Sequence, residues 1–264
     1  MDTGQIAARM HVAEALARDA GRLALDLRTD RARLDIRRKG PQDVVTAADV
    51  AVERMLVTAL RSRFPGDGIL GEEEGGGARP GAPCWVVDPI DGTSNYARAL
   101  PHWCVSIALV IDGRTEVGVI HEPAADALYA ARRGAGATRD GLPLRIGRTD
   151  DLASAIVDVG YSARTPAGAY GALVSDLLQR GVGVLNCGSA ALGLARVADG
   201  RLDGYAERHL YAWDALAGLL LVEEAGGRTR PFLDGDAITA GNETIAATPE
   251  LFATLVEAMS AHRP

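Results

Sequence analysis

The sequence predicts an α+β protein of two packed sub-domains, the first built mainly on antiparallel strands and the second alternating strand and helix. Three observations carry this. Two segments of helical period open the chain, and short apolar runs separated by turn residues follow from Cys84 to about Ala130. After Arg148 the order becomes strand, helix, strand, helix. The change of rhythm divides the 264 residues into 1–147 and 148–264, each of ordinary domain size.

Residues 4–27 predict a helix, because Ile6, Met10, Ala13, Ala17, Ala20 and Ala24 fall near one face. Residues 46–63 predict a second, with Thr46 as its cap and Val52, Met55, Leu56 and Leu60 as the buried stripe. GEEEGGGARPGAP, residues 71–83, is a loop by its Gly and Pro content. CWVVD, VSIALVI, EVGVIHEP and ALYAA are the strands that follow, and Asp112-Gly113 marks a hairpin between two of them. In the second half AIVDVG and GVGVLN read as strands, with helices near 168–180 and 189–199 and a short strand around Tyr205. A long helix from Trp213 to Ala225 stops at Gly226-Gly227. TIAA is a last strand, and Thr248-Pro249-Glu250 supplies a cap, a first-turn proline and an acid for a last helix.

Composition excludes several classes. No apolar run approaches the about 18–20 residues that span a bilayer, and the N-terminus MDTGQIAARMH lacks the plan of a signal peptide. A cytoplasmic, non-membrane location is expected. The net charge is −7 and the densest basic group, Arg31–Lys39, is not continued elsewhere, which argues against nucleic acid as a partner. Cys84, Cys104 and Cys187 are widely spaced, so buried thiols are expected rather than a zinc site or disulfides.

The chemistry concentrates in WVVDPIDGTSN, residues 85–95. Proline at 89 biases Asp88 away from helical dihedrals, so the strand is expected to end there in an open turn. Asp88 and Asp91 then point the same way with the Ile90 carbonyl between them. Such oxygens are what a hard cation such as Mg²⁺ takes, and two carboxylates this close repel unless a cation bridges them. Gly92 lets the backbone approach a ligand, and the amides after it can form an anion nest. Upstream, GEEE adds three consecutive acids. Downstream, Asp214 opens a long apolar helix, where the dipole favours its ionised form.

Five motifs occur in order: Lys39…Asp43-Val-Val-Thr46-Ala-Ala-Asp49, Gly71-Glu72-Glu73, Trp85-Val-Val-Asp88-Pro-Ile-Asp91-Gly-Thr93, Gly188-Ser189-Ala190-Ala191, and Trp213-Asp214-Ala-Leu-Ala-Gly…Glu224-Ala-Gly-Gly227. Through them nearly the whole chain resembles the inositol monophosphatase family, within the magnesium-dependent, lithium-sensitive sugar phosphatases. The resemblance implies a layered α/β/α/β/α sandwich. Residues 1–147 would then carry most metal ligands, and residues 148–264 the substrate readers and Asp214. It further implies two to three Mg²⁺ ions. Glu72, Asp88 and the Ile90 carbonyl would hold the first, and Asp88, Asp91 and Asp214 the second. A third, weaker ion would sit near Glu72 through water.

The same resemblance makes Thr93, with Asp49, the group that orients attacking water, and Glu72 the group that helps draw off its proton. The amides of Gly92 and Thr93 would grip the phosphate, Ser189 and Ala190 would line one side of the substrate, and Glu207 would accept its hydroxyls. Asp91 and Asp214 also border the substrate. A small phosphate monoester as partner, a homodimer and lithium sensitivity follow as family expectations.

The expected activity is hydrolysis of inositol monophosphate or a related polyol phosphate by direct attack of water, without a phosphoenzyme. On the same fold the alternatives are 3′(2′),5′-bisphosphate nucleotidase, histidinol-phosphatase and fructose-1,6-bisphosphatase, and from another class a catalytically silent regulatory relative. Leu185 and Asn186 stand where many relatives carry Arg, and His209 and Tyr211 also depart from the pattern. The first departure removes a charge and argues against strict inositol specificity, and the roles of His209 and Tyr211 stay open.

Overall fold

The computed structural model describes residues 1–29, 34–40, 43–77, 79, 81–149 and 151–263. The side chains of Lys39 and Asp43, named in the first motif, lie outside the described residues.

Helix α1 (Thr3–Arg28) is followed by the strand pair β1 (Arg37–Gly40) and β2 (Asp43–Val45), then by α2 (Ala47–Arg63). Strands β3 (Gly68–Gly71), β4 (Gly76–Gly77) and β5 (Cys84–Asp91) lead to the short helix α3 (Thr93–Ala97). Then come β6 (Cys104–Ile111), β7 (Arg114–Glu122), β8 (Ala127–Arg132), β9 (Ala137–Arg139) and β10 (Leu142–Pro143). The second half runs β11 (Ile156–Val159), α4 (Ala167–Gln179), β12 (Gly183–Leu185), α5 (Ala190–Ala198), β13 (Gly204–Leu210) and α6 (Ala212–Glu224). It closes with β14 (Arg228–Thr229), α7 (Ala237–Ala240), β15 (Asn242–Ala247) and α8 (Pro249–Ala261).

Two sheets organise the molecule. The first has eight strands in the order β10-β9-β8-β7-β6-β5-β3-β4, antiparallel except for the β3–β5 pair. The second has five in the order β12-β11-β13-β15-β14. Helices α1 and α2 cover one face of the large sheet, packing Ala17, Val52 and Leu56 against Trp85, Val87 and Ile107. Between the sheets lie α5 and α6, whose Leu194, Leu216 and Leu220 meet Val86 and Ala108 on one side and Tyr205 and Ala246 on the other. Helices α4 and α8 cover the far face through Leu173, Leu177, Leu251 and Leu255. This is the expected five-layer α/β/α/β/α arrangement. Strand β5 has helices on both faces, which is why its sequence reads as an unbroken apolar run rather than an alternation.

Two local expectations change. Strand β5 does not end at Asp88 but continues to Asp91 across a bulge: Asp88 pairs with Ser106 and Asp91 with Cys104, three residues against two. Proline 89 fits there because a bulge frees the position from the ladder. At the last helix, Thr248 occupies the cap position but its hydroxyl makes no capping bond; it lies 3.0 Å from the Thr149 hydroxyl instead. Thr46 does cap α2, as expected. Of the cysteines, Cys84 and Cys104 are buried, whereas Cys187 is partly exposed.

Candidate metal centre

The bulge in β5 is what makes a site. Residues three apart on a regular strand point to opposite faces. Trp85 and Val87 face α1 and α2, while Cys84 and Val86 face the central helices, and Asp88 continues the second set. The extra residue restarts the alternation, so Ile90 joins the α1/α2 side and Asp91 returns to the central side with Asp88. There α6 brings in Asp214. One carboxylate oxygen from each of Asp88, Asp91 and Asp214 lies within 4.8 Å of the others.

Asp88 and Asp91 are 1% and 7% exposed, so these charges are far from bulk water. Burial first, then Glu72, Asp91, Asp214 and Asp49, push the Asp88 carboxyl well above its usual range. Burial, then Asp91 and Glu72, do the same to Asp214. The N-terminal position of Asp214 on α6 gives it one amide, donated by Tyr211 at 3.0 Å, and that does not offset the repulsion. Glu72 thus stands beside the cluster, outside the group of three whose oxygens converge. Among the described residues, none of Asp49, Asp88, Asp91 and Asp214 is within ion-pair distance of a Lys or Arg. Buried carboxylates that face one another without a basic partner fit a hard divalent cation, which supplies the missing positive charge to oxygen donors.

Asp91 is fixed from α5. Ser189 donates its hydroxyl to Asp91 Oδ2 at 2.5 Å, and the amides of Ala190 and Ala191 donate at 3.3 and 2.8 Å. An acid from β5 therefore takes the orphan amides at the start of another helix. The polar groups of Ser189 and Ala190 point at Asp91. Gly92 sits at φ 91°, and a Cβ there would meet the His102 carbonyl at 2.9 Å and the Gly188 carbonyl at 3.1 Å. Both the dihedral and the space require glycine.

Thr93 opens α3 with its hydroxyl oxygen 2.9 Å from both Asp49 Oδ1 and the Ile90 carbonyl, so its one hydrogen serves one of them at a time. The other oxygen of Asp49 accepts from the amide and hydroxyl of Thr46, at 2.8 and 2.6 Å. Asp49 is fully buried, and burial raises its carboxyl above the ordinary range.

On the second sheet, Glu207 is buried and accepts the Tyr205 hydroxyl at 2.6 Å. Burial moves its carboxyl up to about 7, against the opposing pull of Tyr205 and Arg164. The charge of Asp91 raises the Glu207 carboxyl further, which sets Glu207 at the edge of the acid cluster. Leu185 is 45% exposed, and Asn186 donates to the Tyr170 hydroxyl at 3.4 Å.

Sequence reasoning missed the residue beneath the Glu72 loop. Glu53, fully buried on α2, accepts the amides of Glu73 and Glu74 at 2.8 and 2.7 Å, one on each oxygen. A Cβ on Gly71 would come 2.4 Å from it. The signal was present: an acid lies among Val52 and Leu56, one helical turn after Asp49. It also missed Tyr205, which shares a face of β13 with Glu207 two residues on, and Arg164, which reaches the Glu207 side only through the fold.

The five-layer sandwich and the acid cluster at the β5 bulge define a class of layered α/β proteins with a carboxylate centre. Residues 7–263 match the profile of the inositol monophosphatase family, and the chain belongs to that family. It is 39% identical over 243 residues to the inositol-1-monophosphatase of Rhizobium meliloti, covering 88% of each chain. It is 41% identical over 225 residues to the Nus factor SuhB of Xylella fastidiosa, covering 84% of this chain and 81% of that one. The crystal structure of extragenic suppressor protein suhB from Bartonella henselae superposes with a TM-score of 0.89 at 32% identity, over 96% of this chain and 98% of that chain.

Proposed function

We propose that the protein is a Mg²⁺-dependent phosphomonoesterase that hydrolyses inositol monophosphate or a related polyol phosphate. The convergence of the buried Asp88 and Asp91 with the half-buried Asp214, without a basic partner among the described residues, carries this reading. Asp88, Asp91, Asp214, Glu72 and the Ile90 carbonyl would hold two to three ions. Bound there, Mg²⁺ supplies neutralisation of phosphate charge, activation of water and stabilisation of the leaving oxygen.

The chain's own groups do the rest. Asp49 takes the hydrogen of the Thr93 hydroxyl, which leaves the Thr93 oxygen free to accept from a water and aim it at phosphorus. Glu72 receives the proton that water loses as its oxygen bonds to phosphorus and the ester P–O bond breaks. The amides of Gly92 and Thr93 face the phosphate oxygens, and Ser189 and Ala190 border the alcohol beside Asp91. Glu207 accepts a hydroxyl of the polyol. No side chain forms a bond to phosphorus.

Phosphate release from inositol 1-phosphate, 3′-phosphoadenosine 5′-phosphate, fructose 1,6-bisphosphate and histidinol phosphate, with and without Mg²⁺, tests the reading. Mg²⁺-dependent preference for inositol 1-phosphate is expected. Preference for another ester keeps the mechanism and replaces the substrate; no release from any of the four removes the reading. Asp91→Asn is expected to lower kcat by at least about 100-fold, the scale on which a preorganised electrostatic group acts. A homodimer, lithium inhibition and a cytoplasmic location belong to the same proposal, tested by sedimentation, Li⁺ titration and fractionation. Among the described residues no helix is long and apolar enough to cross a membrane.

The names of the SuhB relatives favour a second reading, service as a Nus factor. Asp91→Asn separates the two, because hydrolysis depends on that carboxylate and the second role does not.

A further inference from the structure

We propose that Arg164 forms a second anion subsite on the Glu207 side of the acid cluster, and that the chain favours polyol esters bearing a second phosphate over the matching monoester. This rests on the phosphatase reading.

Strands β11 and β13 run parallel, so their C-terminal ends share one edge of the sheet, the edge at which open α/β sheets take ligands. The segment leaving β11 there packs against Glu207. The Gly160 amide donates to the Ala206 carbonyl at 3.0 Å. A Cβ on Gly160 would fall 1.9 Å from Glu207 Oε2 and 2.6 Å from the Tyr205 hydroxyl. Four residues on, the same segment presents Arg164.

Arg164 is solvent-exposed yet held. Its Nε donates to His209 Nδ1 at 3.0 Å, and His209 Nε2 donates to the Ala240 carbonyl at 2.7 Å. That pair of bonds assigns a neutral imidazole with its hydrogen on Nε2. The guanidinium carbon lies 4.7 Å from the centroid of the Tyr211 ring, which stacks on Trp213 at 4.7 Å. Tyr211 in turn donates its amide to Asp214. A chain of rigid contacts thus joins the cation to the acid cluster.

Among the described residues Arg164 has no carboxylate partner, and its two terminal NH₂ groups have no acceptor. With Nε committed to His209, the edge between those two groups remains, the pair that takes two phosphate oxygens at once. Its charge also acts on the Glu207 carboxyl from outside ion-pair distance. A planar base is a poorer occupant than an anion, because Tyr211 already has Arg164 over its ring and Trp213 stacked on it.

The full chain with Mg²⁺ is assayed on myo-inositol 1-phosphate and myo-inositol 1,4-bisphosphate, as wild type, Arg164→Gln and Arg164→Lys. Gln is expected to lower the bisphosphate-to-monophosphate ratio of kcat/KM by about tenfold or more, chiefly through KM, and Lys to recover part of it. A purely structural role moves both esters together, so an unchanged ratio overturns the proposal. Calorimetric titration of both esters in an Asp49→Asn background gives the same ratio for binding without turnover. If the wild type hydrolyses neither ester the phosphatase reading fails, and the calorimetric ratio still decides for or against Arg164.

Discussion

Glu53 shows how a side chain outside the cluster controls one inside it. Both of its oxygens are spent on the amides of Glu73 and Glu74, and the loop they hold is the one that carries Glu72. Glu53→Gln replaces one acceptor with an NH₂ that faces an amide donor. The concentration of Mg²⁺ giving half-saturation, read by calorimetry, is expected to rise about tenfold, as when a supporting partner of a metal ligand is lost. Urea unfolding is expected to show a loss of about 1–3 kcal/mol from the unsatisfied amide. Of the residues that build the candidate site, Asp88, Asp91 and Asp214 were legible in the sequence, because polar residues interrupt apolar runs there, and Thr93 came from the resemblance. Glu53 was hidden because an acid inside a helical stripe looks the same whether it faces solvent or a loop 20 residues away.

At the scale of elements, the deciding feature is the close seat of α6 on the large sheet. Gly118 of β7 touches that helix so nearly that a Cβ would lie 2.6 Å from the Ala217 carbonyl and 2.9 Å from its Cα. Only backbone stands there, and backbone cannot swing aside. Gly118→Ala is expected to cost about 1–3 kcal/mol by overpacking, measured by urea unfolding. It should also raise the Mg²⁺ requirement, because pushing α6 outward carries Asp214 away from β5. Unchanged Mg²⁺ dependence with lowered stability would mean that the helix rotates without displacing Asp214. The longer helices and the strands β5–β8, β11–β13 and β15 were readable from period and turn residues, whereas β1–β4, α3 and α7 were not. The bulge in β5 was not, since Pro89 is equally consistent with the end of a strand.

The whole molecule carries its acid cluster as a cost that depends on pH. Glu207 has an ordinary value of 4.5 and a folded value of about 7, so between these pH values the folded protein binds a proton that the unfolded chain has released. Stability then falls as pH rises through that window. The shift corresponds to of order 3 kcal/mol. The melting temperature of Glu207→Gln minus that of the wild type, in chelator, is therefore expected to climb from pH 5 to pH 8; a flat difference would place Glu207 in water. Asp88, Asp91 and Asp214 are raised in the same direction. Mg²⁺ added near pH 6 should accordingly release protons and raise the melting temperature, and calorimetry in two buffers of different ionisation enthalpy measures that release.

By itself the sequence determined the α+β class, the order of the main elements and the carboxylates of the centre, because each is written in local pattern: apolar period, turn residues, and acids set where a strand stops being apolar; the five layers came from the resemblance carried by the five motifs. Tertiary structure decided which of those acids meet. Asp88 and Asp91 share a face only because β6 sets two residues against three of β5, and Asp214 joins them only because a glycine on β7 lets α6 lie close. It decided equally that Arg164 stands over Tyr211 beside Glu207. Those relations join residues 47 and 43 positions apart, and no local pattern records a distance across the fold.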